Sequence, residues 1–186
     1  MSDPWTVSST LDQRVIISKP DKFWEKTPSG RLTNVRLSSN EGPQQLTNPV
    51  TNQTFVIYSA GRSDNRNYCL GQLEFIGQDP MNPMDWLKHE EYCVFWQNLD
   101  EKAYGVGHAS FTTSPDGTQD WIVYHGMRNY SYDWSDRSIR TQQFTWNADG
   151  TPDFPRPGYG PYQVPSGQTG GSSGASSSSP VASGSA

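Results

Sequence analysis

The sequence has little charge and no long apolar run. Charged residues make up only 18% of the chain, and the 19 acidic residues outnumber the 14 basic ones, giving a net charge of −5. Proteins that bind nucleic acids favour a basic surface, so we expect no nucleic-acid partner. No segment approaches the roughly 20 consecutive apolar residues of a membrane helix, so we expect no membrane insertion.

The patterning typical of helices is also missing. No window sustains an apolar period of 3.6 residues, and only 32% of the residues are hydrophobic. Aromatic residues are frequent at 12%, and the chain has 17 glycines and 14 prolines. This combination predicts an all-β fold made of short strands and tight turns.

Runs of β-branched and aromatic residues alternate with turn sequences along the chain. Strong turn signals stand at Ser114–Gly117 and Asn147–Gly150. The predicted strands are Val15–Ile17, Thr54–Tyr58, Asn67–Phe75, Trp86–Val94, Ala109–Thr113, Trp121–His125 and Ile139–Trp146.

The strand pattern repeats itself. Phe55–Tyr58 (Phe-Val-Ile-Tyr) is echoed by Trp121–Tyr124 (Trp-Ile-Val-Tyr), and the segments before and after each also correspond. A long repeat of about four strands is typical of β-propeller blades. We therefore predict one blade over residues 41–94, a second over 104–162, and the outer strand of a third over 5–18. A β-sandwich with coincidental hairpins is the alternative.

The two cysteines, Cys69 and Cys93, fall on predicted strands that would pair around the turn at 79–85. A cross-strand disulfide is geometrically allowed, and two buried thiols are the alternative. No His/Cys spacing suggests zinc.

The last segment is nearly devoid of apolar side chains. Residues 166–186 are uncharged and rich in Ser and Gly, so we expect a disordered linker or tail after a body spanning 1–165. Such tracts often link to another module, such as a carbohydrate-binding module, or carry glycans. Together with the sequons at Asn52 and Asn129, the tail favours a secreted protein, although the first residues lack the apolar run of a signal peptide.

Four stretches carry a resemblance to a known family. They are Met1–Trp5 with Ile16–Glu25, Asn40–Gln44 with Phe55–Ala60, Gly107–Gly117 with Trp121–His125, and Arg140–Phe154. In order and spacing they resemble family 43 of the glycoside hydrolases, in particular its exo-acting α-L-arabinofuranosidase branch. The resemblance covers nearly all of 1–165 and corresponds to the C-terminal part of that family's five-bladed β-propeller.

The resemblance implies hydrolysis of terminal α-L-arabinofuranosyl or β-xylosyl linkages in arabinan or arabinoxylan, with inversion at the anomeric carbon. In this chemistry a general acid protonates the leaving oxygen while a carboxylate base activates water, and no cofactor is required. The family's Asn-Glu-Gly-Pro motif maps its general acid onto Glu41. Without the resemblance, an isolated Glu would be interpreted as a solvated surface charge.

The family has two other catalytic carboxylates. One is the base, and the other raises the pKa of the general acid. Neither has a matching motif here. Asp3, Asp12 and Asp21 do not fit, so we expect both to precede Met1 in the family pattern. This leaves open two alternatives: an inactive carbohydrate-binding remnant, or an incomplete gene product that forms no stable protein.

Three further residues are candidates for the site. His108 matches the family histidine at the floor of the central cavity, where it helps to hold a calcium ion or a water; a hydrogen-bonded core histidine is the alternative. Trp24 precedes the acid and is our candidate for stacking on a sugar ring, whereas Trp121 and Trp146 are expected in the core. Arg137 matches a position that would reach a sugar hydroxyl.

Overall fold

The computed structural model describes residues 3, 5–6, 9–28, 36–89, 91–130, 134–160 and 162–169. These residues form strands joined by turns and three short 3-10 turns, at Leu11–Gln13, Phe23–Glu25 and Pro83–Asp85. The strands are β1 (Lys26–Pro28), β2 (Arg36–Ser38), β3 (Asn40–Thr47), β4 (Thr54–Ala60), β5 (Cys69–Phe75), β6 (Trp86–Lys88), β7 (Tyr104–Thr113), β8 (Asp120–Met127), β9 (Arg137–Trp146) and β10 (Pro152–Asp153).

The strands form two equivalent antiparallel sheets of four, in the orders β3-β4-β5-β6 and β7-β8-β9-β10, beside a small β1-β2 hairpin. The repeated motifs Phe55–Tyr58 and Trp121–Tyr124 occupy β4 and β8, the second strand of each sheet. The prediction of an all-β fold with two propeller blades is therefore confirmed. We call the sheets blade 1 and blade 2.

Alternation along β4 explains how blade 1 packs. Phe55 and Ile57 point into the main core, which they share with residues of blade 2 such as Ile122 and Tyr124. Tyr58 and Ala60, of the opposite parity, point into a second cluster. Because successive side chains of a strand face opposite sides of the sheet, blade 1 buries both of its faces.

The segment before the blades covers the second face of blade 1. Ile17 and Trp24 pack against the cluster formed by Tyr58, Cys69 and neighbouring residues. The outer strand predicted over 5–18 is not formed: the described residues of this range contain one 3-10 turn and an isolated bridge, but no strand. The apolar run Val15–Ile17 contributes by packing on a sheet, and not by joining its hydrogen-bond ladder.

The strand predicted over Trp86–Val94 is also shorter than expected. The β5–β6 ladder ends at Leu73 and Lys88, and pairing resumes with a bridge between Leu70 and Phe95. The extra residues on the second segment interrupt the ladder, as in a bulge. The disulfide that the sequence allowed is nevertheless present, and it joins Cys69 to Cys93 with their Cα atoms 6.0 Å apart.

Removing this disulfide is expected to destabilise blade 1. The bond links residues 24 apart in sequence, and a loop of that size corresponds to about 3 kcal/mol of unfolding free energy in the chain-entropy model. Urea unfolding of a Cys69→Ser/Cys93→Ser variant measures the loss. Reductant should lower the stability of the unsubstituted chain by a similar amount and leave the variant unchanged; equal stability of the two oxidised proteins would contradict the prediction.

The body extends slightly beyond the boundary predicted at residue 165. The backbone N–H of Ser166 donates to Gln119 Oε1 at 2.9 Å, and its hydroxyl donates to Asp116. The rest of the predicted tail, residues 170–186, lies outside the described residues. No helix among the described residues is long and apolar enough to cross a membrane.

Candidate active site

Glu41 lies at the start of β3, the first strand of blade 1, where the strand is irregular. It pairs with Ser59 on β4, and the register then shifts before Gln44. Gly42, inside this bulge, has a φ of +56°, a conformation that glycine adopts without strain. A bulge bends the strand and re-aims a side chain, so the Gly-Pro pair after the acid determines how Glu41 is presented.

Gly42 is required for a second reason, because the imidazole of His108 lies against it. A Cβ at residue 42 would stand 2.9 Å from the His108 ring. His108 itself has a φ of +51°, and its backbone N–H donates to Ser59 Oγ at 2.7 Å. β7 of blade 2 is thus fastened to blade 1 beside Glu41, and the two blades meet at the acid.

The carboxylate of Glu41 is held by a tyrosine that sequence reasoning missed. The Tyr68 hydroxyl donates to Glu41 Oε1 at 2.6 Å. Burial, together with the hydrogen bond to Glu41, raises the pKa of Tyr68, so its phenol is a donor at neutral pH. This hydrogen bond fixes Oε1 and with it the orientation of the carboxyl group of Glu41.

Tyr68 is itself fixed by blade 2. Its ring is fully buried and stacks on the ring of His125, with centroids 5.6 Å apart and planes within 5° of parallel. A Cβ at Gly107 would stand 2.4 Å from the Tyr68 ring, so this glycine makes room for it. Tyr68 therefore holds Glu41 in an orientation that depends on both blades.

Arg137 also belongs to this cluster. Its Nη2 donates to the backbone carbonyl of Ser63 at 2.5 Å, and its charge acts on both Tyr68 and His125. Its Nε is buried and has no hydrogen-bond partner among the described residues. Arg137 is thus tied to the loop that ends at Tyr68, and the contact with a sugar hydroxyl that the resemblance implies for it stays a prediction.

His125 is expected to make the stability of the site depend on pH. Burial, and after it the charges of Arg137 and His108, lower the pKa of His125 from 6.5 to about 4. Between these values the unfolded chain binds a proton that the folded chain does not, so stability falls as the pH falls through this window. The loss reaches about 3 kcal/mol.

Urea unfolding at several pH values between 7 and 4 measures this effect. A His125→Phe variant keeps a ring against Tyr68 but has no imidazole to titrate, so its stability should change less over the same window. Parallel curves for the two proteins would contradict the assignment. The hydrogen bonds and ion pair with Arg62 lower the pKa of Asp64, so the stability that Asp64 contributes is lost only below the ordinary pKa of a carboxyl group. That loss occurs at lower pH than the loss expected from His125.

Trp24 and Asp21 make contacts outside the group of Glu41, Tyr68 and His125. Trp24 stacks on Tyr58, with ring centroids 6.4 Å apart, at the second core cluster; a role for it in sugar binding stays a prediction. Asp21 forms an ion pair with Lys88.

His108 is exposed, and not a core histidine. Among the described residues, no group of three or more His, Cys, Asp or Glu side chains could hold a metal ion. Calcium prefers oxygen ligands, so the residues beside His108 do not fit a calcium ion by themselves. A calcium ion at His108 stays a prediction.

Comparisons with known proteins agree with this arrangement. The family model of glycosyl hydrolases family 43 matches residues 3–152. α-L-Arabinofuranosidase B of Pyricularia oryzae is 36% identical over 160 residues, which are 83% of this chain and 30% of that protein. An extracellular exo-α-(1→5)-L-arabinofuranosidase of Streptomyces avermitilis is 38% identical over 161 residues, with the same coverage of 83% and 30%.

A solved structure is similar over the same region. The crystal structure of the α-L-arabinofuranosidase from Lactobacillus brevis superposes with a TM-score of 0.69 at 33% identity, covering 89% of this chain and 46% of that one. The chain thus spans about a third of the length of these curated relatives. Its two blades are part of a five-bladed β-propeller, and the chain belongs to family 43 of the glycosyl hydrolases.

Proposed function

We propose that this chain carries the general-acid side of the active site of a secreted, exo-acting α-L-arabinofuranosidase. The enzyme would release terminal α-L-arabinofuranosyl residues from arabinan or arabinoxylan with inversion. The observation that carries the proposal is the carboxylate of Glu41, held through Oε1 by Tyr68 where the two blades meet. Secretion is supported by the extracellular relative and by the disulfide, since disulfides persist in oxidising compartments.

The geometry of Glu41 suits proton donation. The hydrogen bond from Tyr68 leaves Oε2 as the oxygen that bears the proton and gives it to the glycosidic oxygen as the bond to the anomeric carbon breaks. Inversion also needs a carboxylate base about 6.5–9.5 Å from the acid, on the opposite face of the sugar. None of the contacts of Glu41 among the described residues is with a second carboxylate, so we propose that the base comes from another part of the propeller.

A chimera tests this function. Residues 1–165 of this chain replace the matching region of the Lactobacillus brevis arabinofuranosidase, and the 186-residue chain is assayed alone beside it. The chimera is expected to release arabinose from nitrophenyl α-L-arabinofuranoside and from arabinan, whereas the chain alone is expected to release none above the blank. Circular dichroism and a melting curve establish that each protein is folded.

The same assay separates the alternatives. Preference of the chimera for nitrophenyl β-D-xyloside would shift the proposal to β-xylosyl linkages. A folded chimera without activity on either substrate would overturn the catalytic role and favour a carbohydrate-binding remnant. Turnover by the chain alone would show that it supplies a base, contrary to the proposal.

A further inference from the structure

Trp134, just before β9, is a large aromatic side chain that is exposed but held in a fixed place. Trp134 is 61% exposed to solvent. The indole Nε1 donates to Ser63 Oγ at 3.3 Å, and the guanidinium carbon of Arg137 lies 6.0 Å from the ring centroid. A single exposed apolar side chain is ordinary on a protein surface, but one tied down by its polar edge presents an ordered apolar face to solvent.

The contacts of Trp134 connect it to the candidate acid. Ser63 also receives the hydrogen bond from Arg137 Nη2, so both side chains are fastened to the loop between β4 and β5. That loop ends at Tyr68, whose hydroxyl holds Glu41. Trp134 is therefore linked to Glu41 through this loop, at the outer edge of the cluster that contains Glu41.

Two other exposed aromatic residues, Tyr130 and Trp96, are less open than Trp134. The ring of Tyr130 is covered by the guanidinium of Arg66, 3.4 Å from its centroid, and packs on the ring of Tyr104 at 5.3 Å. Trp96 packs edge-on against Tyr92 at 4.8 Å and lines a separate groove with residues 154–157. Trp134 alone among these combines an open ring with a link to the site of Glu41.

We propose that Trp134 forms the stacking surface for the sugar ring on the leaving-group side of the scissile bond; this inference rests on the proposed function. Glu41 protonates the oxygen that remains with the leaving sugar, so that sugar lies within about one ring of the acid. Tyr68 and His125 form the buried interior of the cluster, and Trp134 forms its exposed edge. The apolar C–H face of a neutral pentose stacks on such a ring, and Arg137 supplies hydrogen-bond donors beside it.

Binding to the full chain tests the inference without requiring turnover. The Kd for arabinotriose is measured by NMR titration for the unsubstituted chain and for Trp134→Ala, Trp134→Phe and Trp96→Ala. We expect Trp134→Ala to weaken binding about tenfold or more, as for other aromatic anchors. Trp134→Phe should retain most of the affinity, and Trp96→Ala, the matched control, should retain all of it.

Turnover of arabinotriose provides a second readout in the chimera. Trp134→Ala should raise KM for arabinotriose and leave kcat within about twofold, because stacking holds the leaving sugar equally in the ground state and the transition state, whereas Trp96→Ala should change neither. Equal Kd values for the unsubstituted chain and Trp134→Ala, or no binding of arabinotriose by the unsubstituted chain, would overturn the inference. Failure of the proposed function is seen separately, as absence of arabinose release by the unsubstituted chimera.

Discussion

Replacement of Glu41 by Gln in the chimera is expected to slow arabinose release from arabinan by roughly 10²- to 10⁴-fold, the usual contribution of a general acid. The amide keeps the shape of the side chain and can still accept the hydrogen bond from Tyr68. It has no acidic proton to give to the leaving oxygen. The loss should therefore appear in kcat, with substrate binding little changed.

Glu101→Gln is the matched control for this substitution. Glu101 is an exposed carboxylate in the turn before β7, so the same chemical change there should leave the rate unaltered. Arabinose release is measured for both variants at several arabinan concentrations. If Glu41→Gln retains more than about a tenth of the activity, Glu41 does not perform general-acid catalysis of the usual strength.

The largest loss of stability is expected from Lys88→Met. Glu25 is fully buried, and Lys88 Nζ lies 2.9 Å from its Oε1, with only 12% of the lysine side chain exposed. Glu25 also accepts hydrogen bonds from Tyr58 and Asn40. Removing the cation that pairs with this buried carboxylate leaves the carboxylate without its ion pair, which costs about 3–5 kcal/mol of unfolding free energy.

Urea unfolding of Lys88→Met, Glu25→Gln and the double variant measures this pair. The double variant should recover part of the loss, because it no longer buries an unpaired charge. Asp100→Asn is the control: Asp100 and Arg156 form an exposed pair at 3.5 Å, worth no more than about 1 kcal/mol. Similar effects of Lys88→Met and Asp100→Asn would contradict a buried role for the Glu25–Lys88 pair.

This pair also connects the N-terminal segment to the acid. Lys88 on β6 donates hydrogen bonds to Glu25 and to the carbonyl of Lys19. Glu25 in turn accepts a hydrogen bond from the side chain of Asn40, the residue before Glu41. The segment that covers blade 1 is thus tied to the beginning of β3. We expect that loosening it disturbs the presentation of Glu41 as well as the stability of the blade.

The blades could be predicted from the sequence because their signals are local. The alternation in Phe55–Tyr58 and its echo at Trp121–Tyr124 depend on neighbours along one strand, and both lie in the strands expected. The boundaries of β6 could not be predicted, because its end at Lys88 depends on how the following residues reach the bridge between Leu70 and Phe95. The strand expected over 5–18 is absent from the described residues of that range for a similar reason. Its apolar residues pack on a sheet without pairing with it, and the sequence pattern does not distinguish the two arrangements.

The candidate site was only partly predictable for a related reason. Glu41 was singled out by the resemblance of its Asn-Glu-Gly-Pro stretch and the surrounding stretches to family 43, and its catalytic role stays a prediction. Tyr68 stands within a run of residues interpreted as an ordinary strand, and its hydrogen bond to Glu41 joins residues 27 positions apart in the sequence. No periodicity in the sequence reports a contact of this kind.

The dependence of the Glu41→Gln variant on the leaving group tests the central claim most directly. Dinitrophenyl arabinofuranoside has a leaving group that departs without protonation, whereas the sugar alkoxide released from arabinan requires it. If Glu41 is the general acid, the chimera carrying Glu41→Gln should hydrolyse the dinitrophenyl substrate within about tenfold of the unsubstituted chimera and lose roughly 10²- to 10⁴-fold on arabinan. An equal fractional loss on both substrates would contradict the assignment and leave Glu41 with a binding or structural role.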